Sequence, residues 1–328
     1  MRTALSFDDV WLVPQYSEID SRADVTLETK IGNIKLDVPF ISANMDTITE
    51  VEMATAMASC GGAGILHRFT DLVTVEKWVT QIKAANYPAI ISIGVDSFEE
   101  LEFVNTLSQH GLIDGVCIDV AHIDTRKGLS RVEEVAKICH NAGKITVIAG
   151  NIATAKAANR LRDCGADVVK TSIAGGAVCR TRDVTGHMYP TLQAVMDIVA
   201  VAGSNIDIIA DGGIRNGADI AKCLAAGAKA VMLGSMLAGS AETPGHVYRG
   251  DDGLYYKVYR GSASRESQMA RNPTKRPRVE GVSKNIPLKG SVIQIINDLS
   301  DGLRSAFSYS GALNLTRFQL HADFICVK

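Results

Sequence analysis

From residue 39 to residue 234 the chain repeats one pattern eight times: a run of five or six mostly apolar residues, then a longer stretch with helical spacing of its apolar positions. The runs are 39–43, 63–67, 89–94, 115–120, 145–150, 166–170, 206–211 and 230–234. Helical stretches at 49–59, 73–84, 97–110, 129–141, 154–164, from Thr191 and at 216–225 separate them. Nearly continuous apolarity marks strands buried on both faces, the environment of a parallel sheet. Eight such units in roughly 200 residues predict an α/β fold, a (β/α)8 TIM barrel rather than an open sheet.

A TIM barrel builds its active site at the C-terminal ends of its strands. Ser42, Asn44, Asp46, His67, Asp119, His122, Asn151, Cys179, Asp211 and Ser235 stand there and are candidates. Any one of them could simply cap a helix; ten at one end of one barrel favour a site. The loop 172–189 is far longer than an ordinary α/β connection, which points to function or disorder. Gly175 and Gly176 give its backbone positive-φ freedom or close approach to a ligand, and Cys179 follows with Arg180 and Arg182 beside it. A thiol beside guanidinium groups gains thiolate character, hence nucleophilicity. Cys117, Cys139, Cys223 and Cys326 read instead as small buried hydrophobes, and Cys60 and Cys164 as structural residues at helix ends. Asp211-Gly212-Gly213 and Gly234-Ser235 end the seventh and eighth strands, where barrels often bind phosphate through backbone N–H groups.

Composition narrows the function classes. A formal net charge of -2 gives no reason to expect nucleic acid or an acidic membrane as partner, and no apolar run could span a bilayer. Seven cysteines without framework or paired zinc spacing fit a reducing compartment. The start runs into Asp8-Asp9 without a signal-like apolar core, so a cytoplasmic location is expected. With no linker in view, residues 1–328 read as one domain: barrel about 36–240, hairpin and flap about 241–290, closing helix and terminal strand 291–328. The polar run from Gly261 to Gly281 is expected to be a mobile flap over the strand ends.

Seven motifs in order carry a resemblance: Phe7-Asp8-Asp9-Val10 with Pro14, Asn44-Met45-Asp46-Thr47, Ala149-Gly150-Asn151, Val178 to Arg182, Asp211 to Ile214, Met232 to Ser235, and Tyr259-Arg260-Gly261. The chain resembles the inosine monophosphate dehydrogenases and guanosine monophosphate reductases nearly end to end. Asn44, the absence of a regulatory insertion after the second strand, and Glu280-Gly281 without an Arg-Tyr dipeptide in the flap are more similar to the reductases. The resemblance implies NADPH-dependent reductive deamination of GMP to IMP through a thioimidate, with Cys179, Thr181 and Glu280 catalytic. It implies substrate contacts at Met45, Asp211, Gly212, Gly213, Gly234, Ser235, Tyr259, Gly261 and Ser262. Cofactor contacts would fall on Asn44, Asp119, Ala121, Asn151, Ser264 and Arg278. Flap cations Arg271, Lys275, Arg276 and Arg278 suit the extra phosphate of NADPH.

A homotetramer is likewise implied, as is potassium at Gly176 and Cys179. Ala174-Gly175-Gly176-Ala177 departs from the family's Gly-Pro-Gly-Ser, which puts the cation in question and leaves a deoxy or modified purine nucleotide open as substrate. The residues also leave room for an IMP dehydrogenase without the insertion, and for a nucleotide-binding barrel that is no enzyme.

Overall fold

The computed structural model describes residues 3–271 and 279–327. Eight parallel strands close into a barrel: β1 (Phe40–Ser42), β2 (Ala63–Leu66), β3 (Ile90–Ile93), β4 (Gly115–Asp119), β5 (Thr146–Ile152), β6 (Val168–Thr171), β7 (Asp207–Asp211) and β8 (Ala230–Leu233). Each overlaps its predicted run, and β5 and β6 continue to Ile152 and Thr171. Around them lie α1 (Val51–Ser59), α2 (Leu72–Ala84), α3 (Phe98–Gln109), α4 (Arg126–Ala142), α5 (Ala155–Asp163), α6 (Thr191–Ala202), α7 (Gly217–Ala225) and α8 (Val292–Tyr309). Leu66 ends β2 and Leu72 opens α2, so no domain is inserted between them. This is the expected (β/α)8 TIM barrel.

Side chains alternate along a strand, so a strand buried on both faces must supply two cores. Ile41, Ile65, Ile90, Cys117, Ile148, Val168, Ile209, Ala230 and Met232 fill the barrel interior. Their neighbours Phe40, Leu66, Ile91, Val116, Val147, Val169, Ile208, Ala210 and Val231 face the helices. Six of the eight helices begin on a side-chain cap that accepts a backbone N–H: Asp71, Ser97, Thr125, Thr154, Asn216 and Ser291. None of the ten strand-end candidates is among them.

The barrel floor is a hairpin, Thr29–Ile31 with Ile34–Leu36, whose Ile31, Ile34 and Leu36 join the interior core. Gly32 N–H donates to Asp207 Oδ2 (2.9 Å) and Asn33 N–H to Thr146 Oγ1 (2.9 Å), which fixes the plug on the N-terminal ends of β7 and β5. Outside the barrel, Val10–Leu12 pairs antiparallel with Phe324–Cys326. Cys326 is exposed and not the buried hydrophobe expected of it: its strand pairs along one edge with Val10–Leu12, and none of its three residues is buried. Cys117, Cys139 and Cys223 are buried as expected.

Tyr248–Arg249, Tyr255–Arg260 and Ser283–Pro287 form a three-stranded antiparallel sheet beside the strand C-termini. The polar run contains a helix, Arg265–Arg271, that its composition did not suggest. Ile31 has no solvent exposure, so Ile31→Ala should cost about 2–5 kcal/mol through lost burial and the cavity left behind. Urea unfolding monitored by circular dichroism measures this; a loss near zero would mean the hairpin is dispensable to the barrel.

Candidate active site

Strand parity places three charged side chains in the top layer of the barrel interior. Cys117, Val168 and Ile209 point inward, so Asp119, Lys170 and Asp211, two positions on, do the same. Lys170 Nζ lies 3.0 Å from Asp119 Oδ1 and 2.9 Å from Asp211 Oδ2, and also donates to Asn151 Oδ1. Gly150 lies between Asp119 and Lys170 in register, and a Cβ there would come within 2.6 Å of the Lys170 Cβ. Only glycine lets the lysine cross to β4.

Burial alone would raise the Asp119 carboxyl, but the charges of Lys170 and Arg68 outweigh it and hold that carboxyl below its usual range. Burial likewise works to lower Lys170, and Asp119 with Asp211 overcomes it and keeps the ammonium above its ordinary value. Asn151 completes the layer, its Nδ2 donating to Asp211 Oδ2 (2.9 Å) and to the Ser172 carbonyl (3.0 Å).

Over this layer opens a cavity of about 510 Å³. It is lined by the candidates Asn44, Met45, Asp119, Ala121, Asn151, Gly176, Cys179, Thr181, Asp211, Gly212, Gly213, Gly234, Ser235, Tyr259, Gly261, Ser262 and Glu280. Ser264 does not line it: fully buried, it caps the Arg265–Arg271 helix by accepting from Ser267 N–H at 3.2 Å. Arg278, with Lys275 and Arg276, lies outside the described residues. Of the remaining strand-end candidates, Ser42 is buried under Thr49 (2.9 Å), and His67 is buried against Glu50 and Phe69. His122 is exposed, and Asp46 ties the β1 loop to the flap.

The long loop after β6 presents the thiol. Cys179 Sγ donates to Thr181 Oγ1 at 3.3 Å, and the Thr181 hydroxyl donates to Glu280 Oε2 at 2.7 Å. Two main-chain bonds hold the flap to this loop, Arg180 N–H to Glu280 O (2.7 Å) and Val282 N–H to Val178 O (3.0 Å), and within the flap Glu280 N–H donates to Ala263 O (3.1 Å). Arg180 and Arg182 are half-exposed, and both pair with Asp183, so a carboxylate shares the cations expected beside the thiol. Burial pushes Cys117 and Cys139 up to about 12, so neither offers a thiolate near neutral pH.

Neither Gly175 nor Gly176 has positive φ; Ala174 does, at 62°. Gly175 is needed for close approach, since a Cβ there would meet Ser172 Oγ at 2.4 Å. Gly212 and Gly213 do adopt positive φ, 91° and 78°. Sequence reasoning missed Lys170 and Arg68 as cavity residues. A lysine inside a strand buried on both faces was the available signal, since such a charge must be paired.

Lys170→Met should leave Asp119 and Asp211, whose side chains are 19% and 20% exposed, without their cation and cost about 3–5 kcal/mol at pH 7. The sign follows from Asp119, whose folded-state pKa is depressed: its contribution is present above the ordinary carboxylate pKa and lost as pH falls through the folded value. The penalty should therefore shrink on acidification. Urea titrations at several pH values check this; a penalty independent of pH would contradict the pairing.

A family model for the IMP dehydrogenase / GMP reductase domain matches residues 4–328. The GMP reductase of Salmonella newport (strain SL254) is 37% identical over 339 residues, spanning 99% of this chain and 95% of the relative. That of Klebsiella pneumoniae subsp. pneumoniae is 36% identical over 339 residues, with the same coverage. The inosine-5'-monophosphate dehydrogenase of Nitrosopumilus maritimus is 30% identical over 459 residues, spanning 99% of this chain and 96% of the relative. An alignment of 459 positions to a 328-residue chain requires long stretches of that relative with no counterpart here. On a match that runs almost from end to end, over a barrel with a thiol-bearing loop and a flap, the chain belongs to the IMP dehydrogenase / GMP reductase family.

Proposed function

We propose that the protein is a GMP reductase, converting GMP to IMP and ammonia at the expense of NADPH. The observation that carries this reading is the chain Cys179–Thr181–Glu280, a thiol hydrogen-bonded through a hydroxyl to a carboxylate. The thiol proton passes through Thr181 to Glu280, and the sulfur forms a bond to purine C2. Glu280 returns the proton through Thr181 to the C2 amine, the C2–N bond breaks, and ammonia leaves. Proton delivery matters because an amide anion is not a viable leaving group. The near-gapless alignments with relatives named GMP reductase favour the same reading.

The cofactor fits the remaining part of the cavity. Asn44 Nδ2 is buried with no well-formed hydrogen bond among the described residues, on the wall that also carries Asp119 and Ala121. Its proximity helps to favour the Asp119 carboxylate, and it remains a donor suited to a carboxamide oxygen. A reduced nicotinamide held there would supply the hydride to C2. Potassium fits poorly: the Gly176 carbonyl accepts Cys179 N–H (3.1 Å), and the Lys284 ammonium donates to the Ala177 carbonyl (3.3 Å). The 5′-phosphate belongs at Gly213, Gly234 and Ser235, where a Cβ on Gly234 would crowd the Tyr259 hydroxyl at 3.2 Å.

NADPH oxidation with GMP, assayed beside NAD reduction with IMP, tests the reading. GMP-dependent oxidation is expected, with NADPH preferred to NADH; turnover of IMP and NAD alone would make the protein a dehydrogenase. Glu280→Gln should slow deamination on the order of 10²–10⁴-fold and largely spare hydride transfer from IMP to NADP⁺. Cys179→Ala should abolish both without abolishing GMP binding. Single-turnover kinetics of the two half-reactions would overturn the relay if Glu280→Gln impaired them equally.

A further inference from the structure

Glu280 is held through the turn from Gly261 to Ser264, and a carboxylate outside the cavity grips both ends of that turn. Asp46 Oδ2 accepts from Arg260 Nε (3.1 Å) and Nη2 (2.8 Å) and from Ser267 Oγ (3.2 Å). Arg260 is the last residue of its strand, just before the turn; Ser267 lies in the helix that follows it. Arg260 N–H adds a bond to Thr47 Oγ1 (3.3 Å). Inside the turn, Ala263 O accepts Glu280 N–H (3.1 Å), and Ser264 bridges to Gly281.

The base of this grip is firm. Thr49 Oγ1 donates to Ala43 O at 2.6 Å, Ile48 and Thr49 are fully buried, and the Asp46 side chain is 11% exposed. Asp46 does not line the cavity, and the chemistry proposed above makes no use of it.

We propose that Asp46 is a positioning residue of the Thr181–Glu280 relay, fixing the 261–264 turn from both flanks so that the carboxylate stays on Thr181. The kinetic part of the test rests on the reductase reading; the exchange part does not. Asp46→Asn keeps the side chain's size but removes the charge that holds the guanidinium. Hydrogen exchange should quicken in peptides covering 261–268 and 279–283 and stay unchanged in β5. In single-turnover assays GMP deamination should fall by up to about 10²-fold, as for a misplaced catalytic group, while hydride transfer from IMP to NADP⁺ and the KM for GMP stay nearly unchanged. The double variant Asp46→Asn/Glu280→Gln should be no slower than Glu280→Gln alone, because one residue acts through the other.

Additive penalties, equal loss in both half-reactions, or unchanged exchange over 279–283 would each overturn the proposal. If Asp46→Asn fails to fold, Ser267→Ala removes one contact of the grip and should give the same split, smaller in size. If the unaltered protein turns over neither nucleotide, the reductase reading fails, and the exchange result alone decides the role of Asp46.

Discussion

A closed parallel barrel buries its strands on both faces, so every strand residue belongs either to the interior or to the layer under the helices. That parity orders the apolar residues into two cores and also dictates where a charge can enter. At the top of the interior, β4, β6 and β7 each contribute one charged residue, and the three meet: Asp119, Lys170 and Asp211. The pairing satisfies charges that could not otherwise remain buried, and Gly150 provides the gap through which Lys170 crosses to β4. The cavity floor is thus a rigid, fully paired layer, a suitable base for holding a ligand in one orientation.

The chemistry above that floor comes from two segments that meet only in the folded chain. Cys179 and Thr181 belong to the loop after β6, whereas Glu280 arrives 99 residues after Thr181, on the flap. Two backbone bonds and the short Thr181–Glu280 contact join the segments, so the proposed relay exists only while the flap is seated. The flap is held in turn by the β1 loop through Asp46 and Arg260. In the proposed mechanism deamination and hydride transfer place different demands on this assembly, since only the first uses the carboxylate.

The barrel was legible in the sequence because two-sided burial leaves an uninterrupted apolar signature, and strand existence followed run by run. The site was legible where a residue's chemistry is odd for its surroundings, as with Cys179 in a polar glycine-bearing loop. Lys170 was missed because it closes the run 166–170, which reads as a buried apolar strand, and nothing in that run shows the carboxylates of β4 and β7 that pair with it. Cys326 was misread because an apolar terminal strand looks the same whether one face or two are covered; here, among the described residues, the strand pairs with Val10–Leu12 alone. The helix within the flap escaped notice because its seven residues are mostly polar and its stability comes from the Ser264 cap and the Asp46 contact, which are tertiary facts.

The proposed bond between Cys179 and the purine can be read from mass spectrometry of acid-quenched protein. After incubation with IMP and NADP⁺, a nucleotide adduct is expected on the peptide containing Cys179, absent from Cys179→Ala and retained in Glu280→Gln. An unmodified Cys179 peptide under conditions that reduce NADP⁺, or an adduct on another cysteine, would contradict it.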